Sequence, residues 1–327
     1  MKREPKTLQE AIKFFSNPEN VRAYLTIRRW PDGIARCPRC GSDAVVFQEK
    51  YNRFQCGKKH SLRQFTLKTG TIFEDSPVAL EKWLLAMWMV VNCKNGVSSY
   101  EIHRAIGVTQ KTAWFMDHRI RFALHQQTPD DKMGGEGSAV EADETYIGGL
   151  ARNMHADRRR KTIQGRTGAA GKTAVFGLLE RHGKGKSKVR AQVIPNAWKA
   201  TVQPIIKENV QEGTNVYTDE HGAYFQLGQE GFNHAFVRHA EYYVDGAVHT
   251  NGIENFWALL KRSIKGTYVA IEPFHTFRYV DEQAFRFNHR FDMNDGERFD
   301  VAVRGIIGKR LMYDQLTGKN QGEEFAN

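Results

Sequence analysis

The sequence has no apolar run long enough to cross a bilayer, and its first residues, MKREPKTLQEA, lack the apolar segment of a signal peptide. We therefore expect a cytoplasmic protein with no membrane partner. Internal repeats and long low-complexity segments are also absent. Cysteine is scarce: there are four residues, and two of them lie in CPRCG, too close together for an ordinary disulfide framework. In an intracellular protein that spacing indicates a metal site.

The composition is that of a folded, basic protein. Its 327 residues are enough for two or three domains, and a hydrophobic content of 40% is enough for a packed core. The net charge of +11 favours an anionic partner. Because no amphipathic basic helix or lipid anchor is evident, nucleic acid is favoured over a membrane surface. A generically basic protein is the alternative.

The order of predicted elements changes at a polar, glycine-rich linker, TPDDKMGGEGS. Before it lie helical segments and a short strand-like, cysteine-containing segment. After it, three successive strands are followed by a helix, a strand, a further short strand and two helices. Three strands, then helix, strand and helix, resembles the ribonuclease H arrangement. The sequence therefore predicts a multidomain α/β protein with a mixed sheet in its second half.

Four potential metal ligands lie in two short turns of a segment too small to build its own core. They are Cys37, Cys40, Cys56 and His60. Zinc prefers thiolate and imidazole ligands, and four of them close a tetrahedral site with no position open for catalysis. We therefore predict a structural zinc ion. Because three residues rather than two separate Cys56 from His60, the alternative is that His60 is a surface histidine.

A helix-turn-helix pattern lies between Val97 and Leu124. One helix ends at Gly107, and a second helix follows after a short turn. The start of the second helix carries Gln110 and Lys111, which can bind base edges or phosphates. Short helical units of this kind also occur without DNA. Beside a metal ribbon in a basic protein, the pattern predicts a DNA-binding element.

Three acidic residues occupy places that meet in a sheet of the predicted order. Asp143 lies within the first strand after the linker, Asp219 ends TNVYTD, and Glu254 lies in the first turn of a later helix. Carboxylates that meet repel each other unless a divalent cation neutralises them. Hard oxygen ligands favour Mg²⁺ or Mn²⁺, and two such ions can activate one oxygen and stabilise the leaving one.

The later helix, in HTNGIENFWALLKRSIKG, has an apolar stripe and a polar stripe beside it. The polar stripe contains Asn251, Glu254, Lys261 and Lys265. A solvated face with weak ion pairs is the simpler interpretation of the helix alone. Convergence of the three acidic residues would make the stripe an active-site face. Glu141 and His249 lie nearby and are interpreted as structural.

A run rich in Arg, Lys and Gly, ARNMHADRRRKTIQGRTGAAGK, connects the first two strands of the second half. It has no periodicity, and we predict a mobile arm. Arg158, Arg159 and Arg160 either grip DNA non-specifically or belong to a solvated loop.

Seven stretches together resemble DDE-type insertion-sequence transposases with an N-terminal zinc ribbon, the ISXO2-like family. They are RWPDG, CPRCGS, TGTIFEDS, ADETYIGG, VYTDEHGAY, HTNGIENFWALLKRSIKGTY and DEQAFRFNHR. The resemblance implies that Asp143, Asp219 and Glu254 are the catalytic residues and hold magnesium. The 34 residues between Asp219 and Glu254 match that family's usual interval. Lys261 stands where such enzymes contact the transposon end.

Two features differ from the usual family pattern or leave a choice open. Relatives more often carry a cysteine in place of His60. Some relatives use an asparagine as the third catalytic group, and Asn251 is the candidate here. A carboxylate holds Mg²⁺ better than an amide does, so we favour Glu254 and treat Asn251 as auxiliary.

The resemblance implies a nucleoid-associated transposase that binds terminal inverted repeats and target DNA, acts as a homo-oligomer, and cuts and joins DNA ends. The alternatives are a DNA-binding regulator or inactive domesticated relative, and a stand-alone metal-dependent nuclease. The predicted domains are an N-terminal helical segment (1–33), zinc ribbon (34–75), helix-turn-helix (76–127), linker (128–138), ribonuclease H-like catalytic domain (139–300) and C-terminal tail (301–327).

Overall fold

The computed structural model describes residues 4–125, 131–149, 154–163, 169–183, 185–237 and 248–318. Its helices are α1 (Leu8–Phe15), α2 (Pro18–Arg29), α3 (Leu80–Asn92), α4 (Ser99–Ile106), α5 (Gln110–Leu124), α6 (Ala156–Ile163), α7 (Lys199–Asn209), α8 (Asn251–Ser263), α9 (Thr276–Asn288), α10 (Asp295–Arg304) and α11 (Tyr313–Leu316). Its strands are β1 (Val45–Gln48), β2 (Arg53–Cys56), β3 (Gln64–Phe65), β4 (Ala139–Ile147), β5 (Thr173–Glu180), β6 (Lys188–Ile194), β7 (Asn215–Thr218) and β8 (Asn233–Phe236). None of the described helices has the length and apolar character needed to cross a membrane.

The chain divides into two compact units. The first comprises the chain up to His125 together with the chain from Asp292 onward, and the second comprises the chain between them. The sequence predicts a catalytic domain that extends to residue 300 and a tail beyond it. The structure instead groups α10 and α11 with the N-terminal helices.

An aromatic core explains why α10 joins the first unit. Phe299 of α10 is buried against the rings of Phe15, Tyr24 and Trp88, at centroid distances of 5.7, 5.9 and 5.0 Å. Beside these rings, Asp300 pairs with Arg28 of α2 at 2.6 Å. Aromatic side chains contribute much of the apolar area that a small core removes from water, so this contact decides the boundary.

β1, β2 and β3 form a three-stranded antiparallel sheet where the sequence predicts the ribbon. Side chains alternate along each strand, so Phe47, Phe54 and Phe65 share one face. The Phe54 ring lies 4.9 Å from that of Phe47 and 5.3 Å from that of Phe65, and Trp30 packs edge-on against Phe54. This aromatic face is the small core of the ribbon.

α4 and α5 are two helices joined by a short turn, as the sequence predicts. Gly107 ends α4 with φ +61°, a backbone conformation that costs glycine little, and the Thr109 side chain caps α5. The second half of α5 is buried. There, Arg119 donates to the carbonyl oxygens of Ile72 and Leu311 at 2.9 and 3.0 Å. Only the first turns of α5 are available to a partner.

The second unit is built on a five-stranded sheet with strand order β6-β5-β4-β7-β8. β6, β5 and β4 are antiparallel neighbours, whereas β4, β7 and β8 run parallel. β4 and β7 therefore end at the same edge of the sheet. The mixed sheet predicted from the sequence is confirmed.

The two faces of this sheet pack against different helices. Val140 of β4 is buried on one face with residues of α7. Ile147 is buried on the opposite face with residues of α8. Glu141 and Asp143 share the face of Ile147 because side chains alternate, so both point toward α8.

The basic run between β4 and β5 contains α6, although the absence of periodicity there predicts a mobile arm. The eight residues of α6 include neither glycine nor proline, and the three glycines of the run all come after it in the sequence. A helix with little apolar surface lacks the hydrophobic periodicity on which the prediction depended.

Candidate metal centre and candidate active site

The structure brings the four predicted zinc ligands together. The donor atoms of Cys37, Cys40, Cys56 and His60 all lie within 4.8 Å of one another. Cys37 Sγ is 3.5 Å from His60 Nε2, and Cys40 Sγ is 3.7 Å from Cys56 Sγ. Three thiol groups and one imidazole fit tetrahedral zinc.

Local backbone geometry prepares this group for a cation. Gly41, at φ +71°, lets the chain turn so that its N–H donates to the Cys37 carbonyl oxygen at 2.9 Å. Burial raises the pKa of the Cys37 thiol, but the N–H groups of Arg39 and Cys40 outweigh it and lower that pKa to about 7. The Ser61 carbonyl oxygen lies 2.6 Å from His60 Nδ1, which it holds protonated, so Nε2 faces the sulfurs.

Asp143 and Asp219 meet at the shared edge of β4 and β7. The parallel pairing of the two strands ends at Glu141 and Tyr217, so Asp143 and Asp219 each lie two residues beyond the last paired position. Burial and the negative charges of Glu144 and Asp219 raise the pKa of Asp143 to about 7. A set of carboxylate oxygens that repel one another fits Mg²⁺ or Mn²⁺, which would neutralise them.

Glu254 lies in the first turn of α8, the helix that packs on the Asp143 face of the sheet. Its Oε1 accepts a hydrogen bond from the Thr250 hydroxyl at 2.8 Å. Asn251, at the first position of α8, is exposed. Among the residues that the structure describes, Asp143, Asp219 and Glu254 do not form a group with all oxygens within 4.8 Å.

Trp257 contacts the acidic edge, the end of β4 and β7 that carries Asp143 and Asp219. This contact was not predicted from the sequence. Its Nε1 donates to Asp143 Oδ2 at 2.9 Å. Gly177 of β5 makes room for it, because a Cβ at Gly177 would lie 2.7 Å from the indole ring. The apolar stripe of α8 includes Trp257, so periodicity assigns it to the core. The available signal was chemical, since a buried indole N–H needs an acceptor.

Glu141 and Arg181 fix the start of α8. The Glu141 side chain is 1% exposed, and its Oε2 accepts from the backbone N–H of Ile253 at 2.8 Å. Arg181 donates to Glu141 Oε1 and to the His249 carbonyl oxygen, both at 2.6 Å. A carboxylate at a helix N-terminus is favourable, so this network supports the structural interpretation of Glu141 and His249. Arg181 was missed by the sequence analysis.

Glu144 lies on the other face of β4 and was also missed. The Tyr224 hydroxyl donates to Glu144 Oε2 at 2.5 Å, and His221 Nδ1 lies 3.5 Å from Oε1. Burial raises the pKa of Glu144, as does the nearby charge of Asp219. Glu144 therefore adds to the negative potential around Asp143 and Asp219.

Lys261 is half-buried, two turns after Glu254. Burial lowers its pKa, as do the charges of Lys265 and Lys172, whereas Asp143 opposes the shift. Lysines thus stand next to the acidic edge, where they can neutralise a phosphate. Lys265 is exposed and lies in the π-helical turn that follows α8. Lys172 was not singled out in the sequence.

The remaining predicted DNA contacts differ in availability. Gln110 is half-buried and donates to the Ser99 hydroxyl at 3.0 Å, and the Lys111 amine lies 5.1 Å from the Tyr313 ring centroid. Arg159 is exposed, and Arg160 pairs with Asp157 at 3.3 Å on the surface. The side chain of Arg158 lies outside the described residues.

Two family models match separate parts of the chain. Residues 133–288 match the ISXO2-like transposase domain, and residues 16–58 match the transposase zinc-ribbon domain. The chain is 32% identical over 263 residues to an "uncharacterized protein in transposable element ISH50" of Halobacterium salinarum, which covers 77% of this chain and 84% of the relative. It is 36% identical over 104 residues to an "uncharacterized transposase-like protein" of Haemophilus influenzae, which covers 32% of this chain and 84% of that protein.

Proposed function

The chain belongs to the ISXO2-like transposase family, and from this premise we propose that it cuts and joins the DNA ends of its own insertion sequence. The observation that carries the proposal is the parallel pairing of β4 and β7 just before Asp143 and Asp219, which lie close enough for Asp219 to raise the pKa of Asp143, with α8 packed across the same face. Strand order and helix placement support a ribonuclease H-like catalytic domain.

Asp143, Asp219 and Glu254 are the proposed catalytic residues and would hold Mg²⁺ or Mn²⁺. Bound as a pair, such ions supply an activated oxygen nucleophile and stabilise the leaving oxygen. Trp257 orients Asp143 through its indole N–H. Glu254 accepts a hydrogen bond from the Thr250 hydroxyl, so binding a metal ion through that oxygen requires its side chain to turn away from the hydroxyl. Asn251 is the auxiliary candidate at the same end of α8.

In the proposed reaction, hydrolysis at the element end exposes a 3′-hydroxyl, and that hydroxyl then attacks a phosphodiester of the target DNA. No covalent bond to the protein forms. Lys261 and Lys265 contact phosphate oxygens beside the acidic edge, where their charge is closest to Asp143. Because two ends must be joined together, the active species is a homo-oligomer on DNA.

DNA binding is assigned to the first unit and to basic residues of the second. The ribbon, stabilised by zinc on Cys37, Cys40, Cys56 and His60, acts with a helix-turn-helix made of α4 and α5 to bind the terminal inverted repeats. Gln110 and Lys111 lie at the start of α5, the exposed part of that helix. Arg158, Arg159 and Arg160 in α6 provide non-specific phosphate contacts.

The test uses the purified full-length protein, labelled duplexes from the DNA that flanks its gene, and a target plasmid. With Mg²⁺, we expect cleavage at an inverted repeat, a free 3′-hydroxyl and a joined product. Without divalent cation, we expect binding alone. Binding without cleavage under all conditions would indicate a regulator or inactive relative, and cleavage without joining would indicate a nuclease.

A further inference from the structure

The ribbon sheet has a second face that is opposite in character to its aromatic core. Strand alternation places Val46, Gln48, Arg53, Gln55 and Gln64 on it, and we call this set the outer face. Val46 is 68% exposed, and Gln64 is exposed at the end of the short third strand. The outer face therefore presents three glutamines, an arginine and an exposed valine.

The central side chains of the outer face form a hydrogen-bonded row. Arg53 Nε donates to Gln48 Oε1 at 3.0 Å, and Gln48 Nε2 donates to Gln55 Oε1 at 2.6 Å. The Arg53 guanidinium also lies 4.6 Å from the centroid of the exposed Tyr51 ring. These contacts restrict rotamers before any partner binds, which lowers the entropic cost of recognition.

The row still has hydrogen-bonding capacity. Each glutamine amide has two N–H donors and two acceptor lone pairs. Gln48 uses one of each on its neighbours, so one donor and one acceptor are left. A free donor and acceptor on one amide match the N7 and N6–H₂ groups of adenine, and arginine matches guanine. An exposed valine can contact the methyl group of thymine.

Charge and dimensions fit the major groove of duplex DNA. Residues 34–66 contain seven basic and two acidic residues, a net charge of +5 out of +11 for the whole chain. A two-stranded β-ribbon can enter that groove. Side chains on one face of a strand repeat about every 6.8 Å, close to two base-pair steps of about 3.4 Å.

We propose that the outer face of the ribbon reads base edges in the major groove of duplex DNA. The proposal deepens the proposed function and rests on it, because it assigns the sequence-specific part of end recognition to five named side chains. The first turn of α5 then positions the protein on the backbone, consistent with the internal contacts that Gln110 and Lys111 already make.

The test selects bound DNA from a pool of duplexes with a randomised centre, using the zinc-loaded full-length protein. The parent protein should enrich one motif that also occurs at both flanks of its gene. Gln55→Ala should lose the preference at one or two positions of that motif, and its affinity for the selected duplex should fall roughly ten-fold. Its affinity for the unselected pool should be unchanged, since phosphate contacts supply that binding.

Two further variants distinguish a loss of base recognition from a loss of folding. Gln64→Ala changes an exposed side chain that has little influence on folding, and Gln192→Ala is a matched control on an exposed strand position of the second unit. Gln64→Ala should change the motif and Gln192→Ala should not. Zinc content is measured in every variant.

The outcomes separate the two proposals. One outcome is that the parent enriches a motif that is retained, with undiminished affinity, by all four variants of the outer face: Gln48→Ala, Gln55→Ala, Arg53→Ala and Gln64→Ala. In that case the outer face does not read bases, and this inference fails while the proposed function stands. Loss of the motif in Gln110→Ala only would assign the reading to α5 instead. If the parent enriches no motif, specific end recognition fails and the face assignment with it.

Discussion

In the ribbon, the donor atoms of Cys37, Cys40, Cys56 and His60 all lie within 4.8 Å of one another, whereas no trio of acidic residues in the described chain meets that distance. The first group is complete in the folded chain and fits a structural ion that supplements the small aromatic core of the ribbon. The second has two carboxylates just beyond the paired part of neighbouring strands, and a third that accepts a hydrogen bond from Thr250. The four zinc ligands form a closed group, which is suited to stabilising the ribbon. The three carboxylates form an open group whose members repel one another, which is suited to a site that cations and substrate complete.

Among the variants of the open group, loss of the Asp143 carboxylate should reduce activity most. Asp143→Asn keeps an acceptor for the Trp257 N–H but removes the charge at the sheet edge. We expect cleavage and joining to fall by orders of magnitude, because metal positioning supplies most of the catalysis. DNA affinity, measured with the same duplex, should be retained.

The same variant tests the repulsion at the sheet edge. Since burial and neighbouring carboxylates raise the pKa of Asp143 above its ordinary value, its charged form is unfavourable at neutral pH without a cation. The thermal midpoint of Asp143→Asn without divalent cation should therefore equal or exceed that of the parent. A clear decrease would contradict the interpretation that these carboxylates repel each other.

Two variants of α8 test which residue is the third metal ligand of the open group. Glu254→Gln keeps size and polarity, so α8 should fold, but it removes one negative charge from the proposed ion site. We expect cleavage to fall by orders of magnitude with end binding intact, whereas Asn251→Ala should have a smaller effect. Both variants are assayed on the labelled end duplex with Mg²⁺ and then with Mn²⁺.

The reverse pattern would transfer the third role to Asn251. If neither change affects cleavage, the active site is not on this helix. Lys261→Ala serves as the comparison variant, because it should weaken engagement of the DNA end and have less effect once DNA is saturating.

Loss of one ligand from the closed group should weaken recognition of the DNA ends rather than the cleavage reaction. Cys40→Ser removes one thiolate, and the zinc ion that stabilises the small ribbon should be lost. Specific end binding should then decline to the level of random duplex, a change of about a thousand-fold or more. Elemental analysis and competition binding measure the two effects.

The second unit provides the control for this variant. Its sheet and α8 contain none of the four zinc ligands, so its fold should persist. Unaltered specific binding by a zinc-free protein would show that the ribbon does not read the element ends.

Sequence patterns predicted the mixed sheet and the zinc group because periodicity and short ligand spacing are local signals. They did not predict that α10 packs on the first unit, since the contacts of Phe299 with Phe15 and Trp88 connect residues far apart in the chain. They also missed Trp257 and Arg181, whose roles depend on the partners that tertiary packing provides. The order of elements led us to expect that Asp143 and Asp219 converge, whereas the parallel register of β4 and β7 comes only from the folded sheet.

The smallest expected effect concerns the indole that orients Asp143. Trp257→Phe keeps an aromatic ring in the α8 core but removes the N–H donor to Asp143 Oδ2. Loss of one hydrogen bond to a carboxylate should reduce cleavage roughly ten-fold. It should also raise the Mg²⁺ concentration needed for half-maximal cleavage, whereas the affinity for DNA should not change.

Trp83→Phe is the matched control for this last change. Trp83 is equally buried, and its Nε1 donates to the Ser76 hydroxyl at 3.1 Å in the first unit, where no acidic site is proposed. Both variants lose one indole hydrogen bond and similar ring volume, so a general loss of stability should lower their thermal midpoints alike. A shift in Mg²⁺ requirement confined to Trp257→Phe would show that the open acidic group depends on its supporting contact with α8. Equal Mg²⁺ requirements in the two variants would restrict Trp257 to packing.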